Sequence, residues 1–230
     1  LGRVLAQGAD VEPEGDGRER PRRQLWREHA QLREEHPCHD RREQAERDEW
    51  EDVRREGGPE RVQAEAEREA FYAARDRVPE SRMLFNNTCR DILEVGEQML
   101  LGELQYHLGN YDRAFEHLRE SVRRDDHLPY DEPWGWMQPA RHALGALLLE
   151  QGHYAEAESV YRADLGLDAT LSRACQHPGN VWSLHGLHEC LVQRGETMEA
   201  RLIKAQLDKA AARAEMPIRA SCYCRHLAVA

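Results

Sequence analysis

Two histidines at a regular spacing are the first residues in this chain whose positions suggest chemistry. His142 and His185 lie 43 residues apart, and Glu189 follows His185 by four residues, so that the two share one face of a helix. Imidazole and carboxylate groups bind zinc, copper or iron, and cysteine thiolates complete many such sites. The candidate metal ligands are His142, Cys175, His177, His185, Glu189, Cys222 and Cys224.

A site without a metal is the other interpretation of these residues. Histidines in a groove can serve as hydrogen-bonding groups, and cysteines pack as small hydrophobic side chains. The chain has neither a Cys-x-x-Cys nor a His-Glu-x-x-His motif, which are more specific signals for a metal. We therefore expect no cofactor, with a transition metal such as zinc or copper as the alternative.

Two arrangements of cysteine suggest redox or nucleophilic chemistry. Cys222 and Cys224 flank a single tyrosine and form a candidate redox pair. Cys190 with His185 or His188 is a candidate nucleophile and base, although a spacing of two residues on a helix points Cys190 and His188 to different faces. The sequence contains no Gly-rich phosphate loop and no nucleophile elbow, so it favours a non-enzyme and leaves enzymatic activity open.

The spacing of the two histidines belongs to a repeat with a period of 43 residues, seen at Gly109, Gly152 and Gly195. Self-similarity at a fixed period is typical of stacked helical hairpins, none of which can bury its apolar face alone. The residues that recur are Leu101, Gly102, Gly109, Tyr111 and Ala114, then Leu144, Gly145, Gly152, Tyr154 and Ala157, and then Leu187, Gly195 and Ala200.

Helical periodicity and stop signals predict the elements that carry these repeats. A leading helix begins near Val62 and ends before Pro79, and Asn87 or Thr88 caps the next helix. That helix and its partner form the first hairpin, with the turn at Gly109. The second and third hairpins are predicted over residues 137–167 and 181–214, and long connections precede both.

The recurring residues resemble the tetratricopeptide repeat over roughly residues 87 to 214. The pattern is Leu-Gly, a turn glycine seven residues later, a tyrosine and then an alanine that packs between the two helices. His188 and Thr197 depart from the pattern in the third repeat, and the period exceeds the usual length of about 34 residues. The resemblance implies an all-α fold, a short α-solenoid of about three repeats, and a protein-binding scaffold without chemistry of its own.

The resemblance also implies a concave groove lined by the first helix of each hairpin. This groove is acidic and carries histidines, so a basic or apolar peptide suits it better than an acidic tail. The implied groove residues are Met99, Glu103, Tyr106, His107, His142, Leu149, Glu150, Trp182, His185 and Glu189.

Three tryptophans of the repeat region have two interpretations. Trp134 and Trp136 lie in a long connection rich in proline, where we expect them to anchor the loop over the core. Together with Trp182 they are alternatively a stacking surface at the mouth of the groove.

Composition divides the chain into three parts. Residues 1–60 are poor in aliphatic side chains and rich in charge, which predicts a poorly ordered tail. A leading helix and linker follow over residues 61–86, and the repeat domain with a short terminal cap covers residues 87–230.

The overall charge and hydropathy exclude several classes of partner. The net charge of −11 argues against a binder of nucleic-acid phosphates, which requires clustered basic residues. We expect no membrane span, because no apolar run is long enough. With no visible secretory signal, a cytoplasmic location and cysteines in the thiol form are expected. The partner is therefore predicted to be a protein or peptide, and the oligomeric state is left open.

Overall fold

The described part of the protein, residues 59–225 of this computed structural model, is all-α apart from one short β ribbon. The chain divides into two compact units, Leu1–Glu65 and Ala66–Ala230. The predicted tail lies almost wholly outside the described residues. The helices are α1 Pro59–Asp76, α2 Cys89–His107, α3 Tyr111–Asp126, α4 Ala140–Glu150, α5 Tyr154–Leu165, α6 Val181–Gln193 and α7 Thr197–Ala211, and the ribbon pairs β1 Met83–Leu84 with β2 Asn87–Thr88.

The helices begin and turn where local chemistry predicts. The Thr88 side chain accepts a hydrogen bond of 3.0 Å from the amide of Asp91, which caps α2 as expected. Gly109, Gly152 and Gly195 adopt φ angles of +83°, +79° and +77°. These left-handed conformations favour glycine because it has no Cβ, and they lie between α2 and α3, α4 and α5, and α6 and α7. The three predicted turns are confirmed.

The two-stranded ribbon before α2 was not predicted from the sequence. Its conformation depends on a distant loop, because Asn87 Nδ2 donates to the carbonyl of Pro129 at 3.0 Å and to Asp131 Oδ2 at 2.6 Å. A local pattern carries no signal for partners that lie more than forty residues away.

Each helix from α2 to α7 packs against the next, and α4 also packs against α6. Alanines and leucines from α4, α5 and α6 fill one continuous core, in which Ala143, Leu147 and Leu187 are almost completely buried. Among the described residues no helix combines the length and apolar character that crossing a bilayer demands.

Tyr161 of α5 reaches deep between α4 and α6. A Cβ added at Gly145 would lie 2.5 Å from the Tyr161 ring, and one added at Gly186 would lie 2.1 Å from it. Both distances are far below van der Waals contact. The ring therefore fits between α4 and α6 only because both helices have glycine at these positions, and we call this space the slot. Because the ring lies in this slot, the Tyr161 hydroxyl reaches Ser221, and the two hydroxyl oxygens are 2.6 Å apart.

We expect Gly186→Ala to destabilise the protein, because its methyl group would collide with the Tyr161 ring. Overpacking costs about 1–3 kcal/mol, which outweighs the gain in helix propensity of up to about 1 kcal/mol. Urea unfolding measures the change. The same substitution in a Tyr161→Leu background should cost less, and an equal cost in both backgrounds would contradict the slot.

Candidate functional site

One buried carboxylate joins α4, α5, α6 and the connection before α6. His142 Nε2 lies 3.2 Å from Asp164 Oδ2, and His177 Nδ1 lies 2.6 Å from Asp164 Oδ1. Asn180 Nδ2 donates to Oδ2 at 2.9 Å, and the Ser183 hydroxyl donates to the same oxygen. We call this group of five residues the Asp164 cluster.

The Asp164 carboxylate is held in its charged form. Asp164 is 1% exposed, and burial alone would raise the pKa of its carboxyl group. Hydrogen bonds from His142 and His177 outweigh the burial and hold that pKa well below its ordinary value. A buried charge with four donors is expected to hold structure together rather than to react.

The candidate metal ligands are distributed over separate places. His142 and His177 belong to the Asp164 cluster, whereas Glu189 pairs with Arg225 at 2.8 Å and lies 4.0 Å from His185 Nδ1. Within residues 59–225 no group of three or more His, Cys, Asp or Glu side chains is placed to hold a metal ion. His142 and His185 share a repeat register but contact different partners, so the alternative interpretation in which they belong to one metal site is corrected.

The implied groove residues separate into core and surface. Met99, Tyr106 and Leu149 are 6%, 5% and 3% exposed and belong to the hydrophobic core, so they are corrected from groove to core residues. His142 is likewise buried in the Asp164 cluster. His107 is exposed, and the half-buried members are Glu103, Glu150, Trp182, His185 and Glu189.

Residues 220–225, which we call the 220–225 segment, contact two of the implied groove residues, Trp182 and Glu189. Ala220 and Ser221 are fully buried, and Cys222 is 5% exposed. The Tyr223 ring meets the Trp182 ring edge-on at 5.6 Å, and Arg225 pairs with Glu189. The chain itself therefore covers two of the residues that the repeat resemblance assigns to a peptide partner.

The two cysteines of the 220–225 segment interact directly. The amide of Cys224 donates to Cys222 Sγ at 3.3 Å. A hydrogen bond from the Cys224 thiol lowers the pKa of Cys222, and the same bond raises the pKa of Cys224 well above its ordinary range. Burial instead raises the pKa of the Cys190 thiol to about 12, so this residue does not suit the role of nucleophile.

A cavity of about 220 Å³ lies where the two long connections meet. We call it the loop pocket. Four aspartates, one arginine, one histidine and several aromatic residues line it, from the end of α3, both connections, the start of α4 and the end of α5. The lining residues that carry charge or an aromatic ring are Asp125, Asp126, Tyr130, Asp131, Trp134, Trp136, Arg141, Asp164 and His177.

Only one of these aspartates is neutralised by a basic side chain of fixed charge. Arg141 pairs with Asp126 through both oxygens, one of them at 2.7 Å. Asp131 accepts hydrogen bonds from neutral groups: the amide and side chain of Asn86 at 3.2 and 2.9 Å, and the side chain of Asn87 at 2.6 Å. Neutral donors satisfy the oxygens of Asp131 without cancelling its charge.

Asp125 is the least satisfied aspartate of the loop pocket. Its hydrogen bond from the Ala140 amide measures 3.2 Å. Burial raises the pKa of Asp125 to about 6, and the neighbouring charge of Asp126 adds to the effect. A carboxyl group with a raised pKa in a cavity is typical of a functional site.

The two loop tryptophans differ in their surroundings. Trp134 is 43% exposed, and its ring meets His177 edge-on at 4.1 Å. Trp136 is half-buried and packs so closely on α2 that a Cβ at Gly96 would lie 2.8 Å from it. Trp136 thus behaves as the predicted anchor, whereas Trp134 also presents an open ring at the loop pocket.

Asp125, Asp131 and Asp164 were not predicted from the sequence. The signal available was weak: two adjacent aspartates at the end of α3, and further aspartates in and before the long connections. No model of a known protein family matches the chain. A comparison with curated protein sequences also gives no match.

Removing the carboxylate of the Asp164 cluster should destabilise the fold strongly. Taking one partner from a buried ionic network costs about 3–5 kcal/mol, which we expect for Asp164→Ala in urea unfolding. Asp164→Asn keeps the shape and should cost less. The exposed Glu215→Gln is the control, and similar midpoints for Asp164→Ala and this control would show that the cluster adds no stability.

Asp125 should make stability depend on pH between about 4 and 6. Its pKa near 6 lies above the unfolded value of about 3.9, so folding favours the protonated form, and the associated stability is lost as pH rises through this window. Asp125→Asn removes this loss. We expect the variant to gain up to about 3 kcal/mol relative to wild type between pH 4 and pH 8. A constant difference across that range would contradict the shift.

Proposed function

We propose that the protein is a recognition scaffold, a short α-solenoid of the tetratricopeptide type, and that it binds a basic peptide. The loop pocket takes one lysine or arginine side chain of this partner. The observation that carries the proposal is the charge of the pocket: four buried or half-buried aspartates face a single arginine and one histidine. No cofactor or membrane contact is part of the proposal.

The charge balance favours a cation over a neutral or anionic ligand. Arg141 is engaged by Asp126, and the donors to Asp131 are amides. Asp164 is bound by two histidines, so Asp125 and Asp131 are the pocket aspartates without a basic partner, and their negative potentials add. An ammonium or guanidinium group supplies the missing positive charge and hydrogen-bond donors.

The size and the aromatic rim favour a single side chain. Pockets for whole small molecules usually measure about 300–1,000 Å³, and this cavity of about 220 Å³ is smaller. Tyr130 and Trp134 are 55% and 43% exposed at its edge. Aromatic faces attract cations, so these two rings are suited to receive the stem and charge of a lysine or arginine.

The repeat supports the scaffold part of the proposal. Helices α2 to α7 pack in sequence order, and the three hairpin turns share one spacing and one glycine conformation. Stacked hairpins of this kind bind partners with residues outside their common core. The 220–225 segment covers Trp182 and Glu189, so the proposed contact lies at the loop pocket rather than on that face.

Binding of N-acetyl-arginine amide, followed by NMR titration, tests the proposal. We expect Asp125→Asn to weaken binding by about tenfold, since one charge of the site is lost. Asp112→Asn, an exposed aspartate at the start of α3, is the matched control and should bind like wild type.

The pH dependence of the same titration provides a second criterion. Because the pKa of Asp125 is about 6, binding should be tighter at pH 7.5 than at pH 5, where the carboxyl group is mostly protonated. Equal weakening by both variants, or preference for N-acetyl-glutamate amide over the arginine probe, would overturn the cationic assignment.

A further inference from the structure

The 220–225 segment is built into the fold. Ser221 Oγ lies 2.6 Å from the hydroxyl of Tyr161, whose ring lies in the slot at Gly145 and Gly186. Cys222 belongs to the main hydrophobic core, and Cys224 packs against that core. The contact of Ser221 with Tyr161 and the packing of both cysteines on the core therefore fix the positions of the two thiols.

The turn brings the two thiols together. The amide of Cys224 donates a hydrogen bond of 3.3 Å to Cys222 Sγ. Cys224 is half-buried and the intervening Tyr223 is 52% exposed, so one side of the turn faces solvent. A hydrogen bond from a backbone amide stabilises a thiolate, which is the reactive form of cysteine.

The other described cysteines lack this arrangement. Cys190 is fully buried in the core. Cys175 lies 3.4 Å from the Ser172 hydroxyl and 4.0 Å from a backbone carbonyl of α3. All five described cysteines are free thiols. Cys222 and Cys224 are thus the adjacent pair in which one thiol lies beside the sulfur of the other.

We propose that Cys222 and Cys224 form a dithiol redox site that exchanges with low-molecular-weight disulfides such as oxidised glutathione. This inference is independent of the proposed peptide binding, since it concerns residues away from the loop pocket. In this exchange the two cysteines lose two electrons and form a disulfide bond with each other, with Tyr223 between them in the sequence.

The exchange proceeds in two steps. The Cys222 thiolate attacks one sulfur of the small disulfide, whose S–S bond breaks, so that a mixed disulfide forms and one small thiolate leaves. The Cys224 thiol then loses its proton to solvent, and its sulfur attacks Cys222. The second small thiolate leaves, and protonation yields two small thiols and one intrachain disulfide. The small disulfide is reduced by the two electrons that the cysteines lose.

Treatment of the folded chain with oxidised glutathione, followed by acid quenching, alkylation and peptide mass spectrometry, tests the site. In wild type we expect the peptide with both cysteines to lose two alkylatable thiols and to retain no glutathione. Dithiothreitol should restore both thiols. Cys224→Ser removes the second step, so this variant should retain one glutathione on Cys222. Cys89→Ser is the control and should leave the pair unchanged.

Several results would overturn the proposal. One is full alkylation of both thiols in wild type at a glutathione disulfide concentration that modifies the half-buried Cys89. Another is a disulfide-linked dimer on a non-reducing gel, because it places the bond between chains. If Cys224→Ser does not fold, the wild-type result decides alone: loss of two thiols without retained glutathione supports closure, and a stable mixed disulfide contradicts it.

Discussion

The Asp164 carboxylate is the interaction on which the arrangement of the second and third hairpins depends. It lies at the end of α5 and accepts donors from α4, from the connection and from the start of α6. The Asp164 carbonyl also accepts the His177 amide at 2.6 Å. One residue thereby sets where the second long connection leaves α5 and where α6 begins. Desolvating this charge is tolerable only because every donor is in place.

The loop pocket follows from that constraint. His177 is drawn to Asp164 and presents its ring to Trp134, which belongs to the other connection. Asp131 ties the same first connection back to the ribbon through Asn86 and Asn87. The aspartates that organise the loops therefore also charge the cavity between them. Asp125 differs from these loop-organising aspartates, because its hydrogen bond from the Ala140 amide is long, at 3.2 Å.

Local and periodic features of the fold were predictable from the sequence. Glycine at a left-handed turn, threonine at a helix start and proline after a helix each act within a few residues, so Gly109, Thr88 and Pro79 indicated the elements correctly. The repeat placed the three hairpins. All-α architecture followed from the same periodicity.

The site was less predictable because its contacts join distant positions. Asp164 and His142 are 22 residues apart, and Ser221 and Tyr161 are 60 apart. A repeat register relates equivalent backbone positions, but it does not specify which side chains are neighbours. His142 contacts Asp164, whereas His185 lies 4.0 Å from Glu189. Met99 and Leu149 were assigned to a groove by analogy, and the packing of neighbouring helices buries them instead.

The slot at Gly145 and Gly186 has a consequence for the order of assembly. The ring of Tyr161 enters between α4 and α6 only when both helices are in position, and its hydroxyl then offers the partner that Ser221 requires. Docking of the 220–225 segment is therefore coupled to the packing of α4 and α6 around Tyr161, through a contact of long sequence separation. Loss of that packing would expose the core side of Cys222 to water, because this side chain belongs to the same hydrophobic core.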